Sequence, residues 1–311
     1  MIAKHIRIPA LNLSANAQGV SLMLLSVVLF SANCLIVKYV GASGEVSFWA
    51  VNFYRGVAGT AFAVMLAGGN SRQMLRIFHR PLLIVRGVLG AIGLALFYTT
   101  VFHMDLGTAS VINLTYVLWA ALFAALFLSE RLGRMQIVGL VVAFAGIPIL
   151  CGFSLDGVGV YHLVAIAGAM VAGIVVVMIR LLVRTERSTT IYAAQAVYGM
   201  LTVVPFMALA DFAPGYGYVA MMIGGGVLVA GGQMAMTVAY EHLSVAKGAS
   251  IQLILPIMNA VGGMAFFHET YGLPIILGST LIVAGSGIVV RQRQQQQRAV
   301  ASDVSHTVRK G

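Results

Sequence analysis

Charge is what this sequence has least of. Lys, Arg, Asp and Glu make up 9% of the 311 residues, and nine of them are acids. A soluble domain of this length needs a charged skin several times denser, so a water-soluble globular fold is excluded. Cysteine is nearly absent too. Cys34 and Cys151 each sit inside an apolar run, where a thiol behaves as a small hydrophobe, and they frame neither a disulfide nor a metal site.

Apolar sequence is abundant. Hydrophobic residues account for 60% of the chain and the mean hydropathy is +0.95, which requires surface that faces lipid: an all-α integral membrane protein is expected. At roughly 20 residues per crossing, ten spans fall near 18–40, 46–68, 81–102, 108–128, 134–152, 160–183, 189–209, 216–240, 248–267 and 271–290. An arm (1–16) precedes them, and a polar tail (291–311), RQRQQQQRAVASDVSHTVRKG, is expected to be disordered. The apolar run behind the arm is too long for a signal-peptide core and reads as an uncleaved first span.

The chain repeats itself. At a constant shift of 139 residues, His103 meets His242, Glu130 meets Glu269, Gly133 meets Gly272, Gly139 meets Gly278 and Ala145-Gly146 meets Ala284-Gly285. The match reaches back to Gly87 with Gly226 and Gly93 with Gly232, so two half-proteins are expected, 17–152 and 153–290.

Basic residues orient the spans. With the N-terminus inside, the arm, Arg72, Arg76, Arg80, Arg86, Arg131, Arg134, Arg180, Arg184, Arg187, Lys247 and the tail all lie on the cytoplasmic side. Glu45, Asp105, Asp156, Asp211 and Glu269 lie opposite; only Lys38 and Arg55 are left over. This distribution accounts for the net charge of +10 without nucleic acid and places both termini in the cytoplasm. Five spans per half then insert the second half upside down, the build of secondary transporters with a site at the midplane between repeats.

The run FLSERL followed by a Gly and AGI, its second copy with Pro256, Phe267-His268-Glu269 and AGSGI, the opening FSANCLIVKYV and the FYRG of the second span together resemble the EamA domain of the drug/metabolite transporter superfamily. The resemblance covers residues 18–290 and implies ten helices in two inverted five-helix repeats in a bacterial-type inner membrane. It also implies movement of small polar metabolites, commonly amino acids and related compounds, often as export. Two departures stand out. Val117 occupies a position where the first copy often has Pro, and the sixth and seventh spans carry no interior Lys or Arg.

Charge and polarity inside the spans mark candidate substrate contacts. Arg55 lies roughly 13 Å below the outer surface, too deep to snorkel easily, and Asn52 lies three residues earlier on the same face. The pair reads either as an anchor for a carboxylate or phosphate, or as an arginine satisfied internally. Asn33, the polar residue ahead of Lys38, joins the set, with Tyr98 on the third span. Asn113, Tyr116 and Trp119, spaced by three, share one broad face. In the second copy Gln252 aligns with Asn113, Pro256 frees a backbone carbonyl, and Asn259 and Gln233 complete the set. Packing roles are the plain alternative for each of these residues. Lys38 and Arg86 are expected to snorkel to the surface, His103 and His242 to stand at opposite faces, and no carboxylate to be buried.

An intramembrane enzyme is the competing class. GASG at Gly41–Gly44 resembles the Gly-x-Ser-Gly of rhomboid proteases but has no histidine on a nearby span; paired buried acids and HExxH are missing. The expectation is an alternating-access transporter, an exporter of amino acids or amino-acid-derived compounds, with no catalytic residue, metal or cofactor. Uptake of a flat, riboflavin-like or nucleoside-like molecule stacked on the aromatics is the alternative. Its partners are a small-molecule substrate and the lipid bilayer, with monomer and homodimer both open.

Overall fold

A computed structural model describes residues 15–67, 71–128, 132–151, 159–182, 185–209, 215–243, 248 and 251–310. Glu130, Arg131, Asp156, Arg184, Asp211, Lys247 and the arm through residue 14 lie outside the described residues. The helices are α1 (Ala15–Ala42), α2 (Phe48–Ala67), α3 (Ser71–His79), α4 (Pro81–His103), α5 (Leu106–Leu114), α6 (Tyr116–Leu128), α7 (Arg134–Leu150), α8 (Val160–Leu182) and α9 (Ser188–Leu201). After a 3-10 turn (Val204–Leu209) come α10 (Tyr216–His242), α11 (Ile254–Phe267) and α12 (Leu273–Lys310). No strand occurs among the described residues.

Among these residues six helical stretches are long and apolar enough to cross a bilayer, and α7 and α11 are shorter apolar helices. Large apolar side chains point outward, Leu126, Phe127 and Phe266 each about 70% exposed. In water that surface would aggregate; in lipid it is the solvated face. The protein is a multi-pass membrane protein.

The most extensive helix contacts recur when the two halves are exchanged. α1 packs on α10, and their counterparts at the 139-residue shift, α8 and α4, pack on each other; α2 on α10 is matched by α9 on α4. α2 packs on its own counterpart α9, and α7 on its counterpart, the apolar part of α12. The glycines show why these helices approach so closely. A Cβ on Gly139 would lie 2.8 Å from the Gly285 carbonyl oxygen, and one on Gly278 2.6 Å from that of Gly146. These four glycines are two aligned pairs that cross over, so α7 and α12 run antiparallel with backbone against backbone. On α1 and α10, Gly19 meets Leu243 while Gly225 meets Asn33, again antiparallel.

Several expected boundaries move. The expected span 108–128 is broken at Thr115, whose Oγ1 and N–H both donate to the Ile112 carbonyl, at 2.7 and 3.1 Å, in place of the i−4 bond. The second copy breaks within one residue of the aligned place, at Leu253, where Pro256 has no N–H to give the Gln252 carbonyl. Two different local causes thus interrupt the same crossing. The expected loop around 70–80 contains α3, anchored by Ile77 in the core with Leu75 and Phe78 exposed. The expected span 189–209 stops being α-helical at Leu201 and ends in a 3-10 turn around Pro205. The tail expected to be disordered instead continues α12 to Lys310, since Gln, Arg and Ala are good helix formers that extend a helix already nucleated in the bundle.

Candidate functional site

Three of the expected residues converge where α1, α2, α4 and α10 meet. Asn33 Nδ2 donates to Tyr98 Oη at 2.8 Å, and the Arg55 guanidinium carbon lies 5.2 Å from the centre of the Tyr98 ring. Tyr98 is fully buried, so its ring supplies a fixed, low-dielectric face for the cation. Arg55 Nε, a donor, and Asn33 Oδ1, an acceptor, are both buried without a protein partner. Both residues line one void of about 10 Å³, room for about one water molecule, closed by Val37, Val51, Met222 and Gly225. A Cβ at Gly225 would sit 3.0 Å from Asn33 Oδ1. No carboxylate pairs with Arg55 among the described residues. A half-buried cation with a buried, unused donor, lining the same void as an unused acceptor, can take a carboxylate and a neighbouring N–H or O–H.

Asn52 does not join this cluster. One helical turn from Arg55, it lines a larger groove of about 370 Å³ between α2, α4, α9 and the 3-10 turn, with Trp49, Ala95, Thr99 and Phe206. Trp49 stacks on Phe206 at 4.0 Å with planes 6° apart, and Asn52 Nδ2 donates to the Phe48 carbonyl at 3.1 Å. Side chains three residues apart still differ by about 60° around a helix, and α2, wedged between α9 and α10, shows the two residues to different neighbours.

The break at Thr115 also divides the expected stripe on the fourth span. Asn113 remains on α5 and is half-buried, while Tyr116 and Trp119 belong to α6, so spacing by three no longer places them on one face. Trp119 packs edge-on against Phe144, with ring centres 5.1 Å apart, and against Gly173, where a Cβ would lie 2.7 Å from its own; its Nε1 is buried without an acceptor. Gln252 Nε2 points at the Met236 sulfur, 2.8 Å away, and Gln233 is half-buried and engaged on α10. Asn259 is fully buried and has both amide atoms in use: Oδ1 accepts from Ser31 Oγ and Nδ2 donates to Ser110 Oγ, each at 2.7 Å. It ties α11 to α1 and α5.

Lys38, Arg86 and the acids depart from expectation. Lys38 does not snorkel. Its ammonium donates to the Met104 carbonyl at 2.5 Å and pairs with Glu269 Oε1 at 3.2 Å. The Glu269 side chain is only 5% exposed; it also accepts from the Leu106 N–H at 2.9 Å and from the Tyr271 hydroxyl at 2.7 Å. Gly263 and Gly107 leave room for this cluster: a Cβ on Gly263 would collide with Glu269 Oε2, and one on Gly107 would lie 2.6 Å from Tyr271 Oη. His268, left-handed at φ 55°, turns the chain so that Glu269 points back at the first turn of α5. Burial and the bond donated to Glu269 hold the Tyr271 hydroxyl well above the ordinary tyrosine value. Burial, and then the Glu269 charge, raise the nearby Asp105, with Lys38 opposing. Glu186 is buried as well, pairing with Arg76 at 3.2 Å and Arg80 at 3.6 Å. Each carboxylate is buried because a cation from another element comes to it, which a hydropathy count does not register.

Arg86 likewise turns inward, 5% exposed, with Nη2 donating to Gln195 Oε1 at 2.9 Å. His103 is exposed, its ring stacked on Tyr161 at 4.1 Å, and His242 is exposed at the end of α10. Among these interactions, the Ser31–Asn259–Ser110 bridge, the Glu269 cluster and the Arg86–Gln195 pair escaped the sequence reading. Lone serines and a glutamine in apolar runs carry no periodic signal, and the charge of Arg86 is visible in the sequence but not the side to which it turns.

The model of the EamA-like transporter family matches residues 17–151 and 160–291. The pseudopaline exporter CntI of Pseudomonas aeruginosa (strain UCBPP-PA14) is 30% identical over 274 residues, covering 85% of this chain and 93% of that protein. A riboflavin transporter of Rhizobium johnstonii is 25% identical over 292 residues, covering 91% of each. A crystal structure of a protein 16% identical to this chain shares its fold, with a TM-score of 0.64 over 90% of this chain and 99% of that one.

Proposed function

Because this chain belongs to the EamA-like transporter family, and is a transporter rather than an enzyme, we propose that it exports small polar metabolites by alternating access. Amino acids or amino-acid-derived compounds bearing a carboxylate are the substrate class. The observation that carries this reading is the Arg55 donor facing the Asn33 acceptor across a void where helices of both halves meet, α1 and α2 from the first and α10 from the second. Arg55 takes the carboxylate, Asn33 the substrate's N–H or O–H, and Tyr98 holds both side chains in place.

In this reading ten crossings form two inverted five-helix repeats, 17–152 and 153–290, in the inner membrane with both termini cytoplasmic. The crossed glycine pairs of α7 and α12 support the inversion, since aligned helices that run antiparallel belong to halves of opposite direction. The export direction draws support from the 30% identical relative, which is itself an exporter. Counterflow of labelled amino acids and their derivatives in proteoliposomes tests the proposal: carboxylate-bearing solutes exchange, and Arg55→Ala stops them without affecting membrane insertion. Exchange by Arg55→Ala at the native rate removes Arg55 from the site.

A second reading has its own observation. The groove between α2, α4 and α9, with the stacked Trp49 and Phe206, has the volume and aromatic wall for a flat ring system, and riboflavin transporters are among the relatives. Competition by tryptophan against riboflavin in a binding assay separates the two.

A further inference from the structure

Arg86 is a buried guanidinium with no counter-charge. Nη2 reaches Gln195, while Nε and Nη1 are buried without any partner, and no ion pair among the described residues includes it. The guanidinium lies along α4 over Gly90, one turn further on, where a Cβ would collide with Nη1. A cation held this way in a membrane protein is costly unless an anion comes to it.

Its place in the fold gives the second reason. At the 139-residue shift Arg86 aligns with Gly225, Gly87 with Gly226, Ala194 with Arg55 and Gln195 with Gly56. The contacts align as well: a Cβ on Gly226 would meet the Arg55 carbonyl oxygen at 3.2 Å, and one on Gly87 the Ala194 carbonyl oxygen at 2.8 Å. The α10–α2 and α4–α9 contacts are therefore the same crevice occurring twice, each between a helix of one half and a helix of the other. In one, the arginine comes from α2 and faces the glycines of α10. In the other, it comes from α4 and faces Ala194 and Gln195 of α9. Each crevice has one unpaired guanidinium, supplied from opposite walls. Along α4, Arg86 stands about 18 Å from Tyr98 at 1.5 Å per residue.

We propose that Arg86 and Gln195 form a second binding site for the anionic group of the transported solute, the repeat-related counterpart of the site at Arg55. The proposal rests on the transporter reading and narrows it: the substrate carries a net negative charge, a carboxylate or phosphate, and passes from one guanidinium to the other. Gln195 holds Nη2, leaving Nε and Nη1 to engage the oxyanion.

The test uses the full chain in a maltoside detergent, stripped of lipid, with melting temperature as readout. Glutamate, succinate and inorganic phosphate are compared with the neutral isostere succinamide. The anions raise the melting point of the native chain by several degrees and succinamide does not. Arg86→Gln without ligand melts at or above the native temperature, because an unpaired charge has left the interior, and its apparent Kd for the anions rises about tenfold or more, as loss of a charge-assisted hydrogen bond requires; Arg86→Lys restores part of it. Absence of anion protection in the native chain overturns the proposal. So does an Arg86→Gln chain that melts well below native yet binds anions as tightly, which makes Arg86 a structural residue. Protection by phosphatidylglycerol alone overturns it too and makes Arg86 a lipid-headgroup contact. Counterflow in parallel keeps the two readings apart. Exchange of neutral solutes that ignores Arg86→Gln retires the second site and leaves the transporter, whereas anion binding without exchange of any solute leaves the site and retires the transporter.

Discussion

The Lys38 ammonium lies 3.2 Å from Glu269 Oε1, joining the last turns of the first crossing to the turn between α11 and α12. The same carboxylate accepts the Leu106 N–H and the Tyr271 hydroxyl, so one side chain ties three separate elements. The aligned positions in the other half are Val177 for Lys38 and Leu132 for Tyr271, which cannot make these bonds. Packing is shared between the halves, but this latch is not.

Glu269→Gln leaves a largely buried ammonium without its counter-charge and should lower unfolding free energy by about 3 kcal/mol. Adding Lys38→Met removes the orphan and should recover a good part of that loss. A double-mutant cycle in mixed micelles measures the coupling; strictly additive single effects would show that the pair does not act as a unit.

Gly278→Ala places a methyl 2.5 Å from the Leu150 amide nitrogen and 2.6 Å from the Gly146 carbonyl oxygen. α7 and α12 must separate to admit it, at about 1–3 kcal/mol. Gly199→Ala, with no atom within 4 Å of the new Cβ, is the control and should melt at the native temperature or slightly above. Thermal unfolding of the two purified variants side by side checks the contrast.

Arg55→Ala should weaken binding of a carboxylate solute about 30- to 150-fold, the loss of about 2–3 kcal/mol of charge-assisted hydrogen bonding. Tyr98→Phe keeps the ring beneath the cation but removes the oxygen that holds Asn33, so a smaller, severalfold loss is expected. A Tyr98→Phe effect as large as that of Arg55→Ala would mean that the hydroxyl itself touches the solute.

Asp105 carries the pH dependence that can be assigned outside the membrane. Its pKa is raised, first by burial and then by Glu269. A raised acid holds its proton more tightly folded than unfolded, so its contribution to stability falls as pH rises from the ordinary aspartate value through the raised one. Asp105→Asn removes that loss while remaining a good residue at the start of α5. It should raise the melting temperature at about pH 7 and leave it unchanged near pH 3, where the native side chain is already protonated. An equal gain at both values would assign the effect to packing.

By itself the sequence determined the solvent of this protein, its repeat and its family, since these depend on sums and spacings: too little charge for water, a 139-residue shift that aligns glycines with glycines, and the FLSERL and AGI runs of a transporter. It also picked out Asn33, Arg55 and Tyr98, because polar groups in apolar helices are conspicuous one at a time. Which of them meet was decided only by tertiary structure. Asn52 and Arg55 share a helix but face different cavities, Thr115 bends the stripe that spacing had drawn, and Lys38 finds Glu269 rather than the surface. The physical reason is the same in each case. Burying a polar or charged group is tolerable only with a partner, and the partner comes from another helix, at a distance along the chain that no local pattern records.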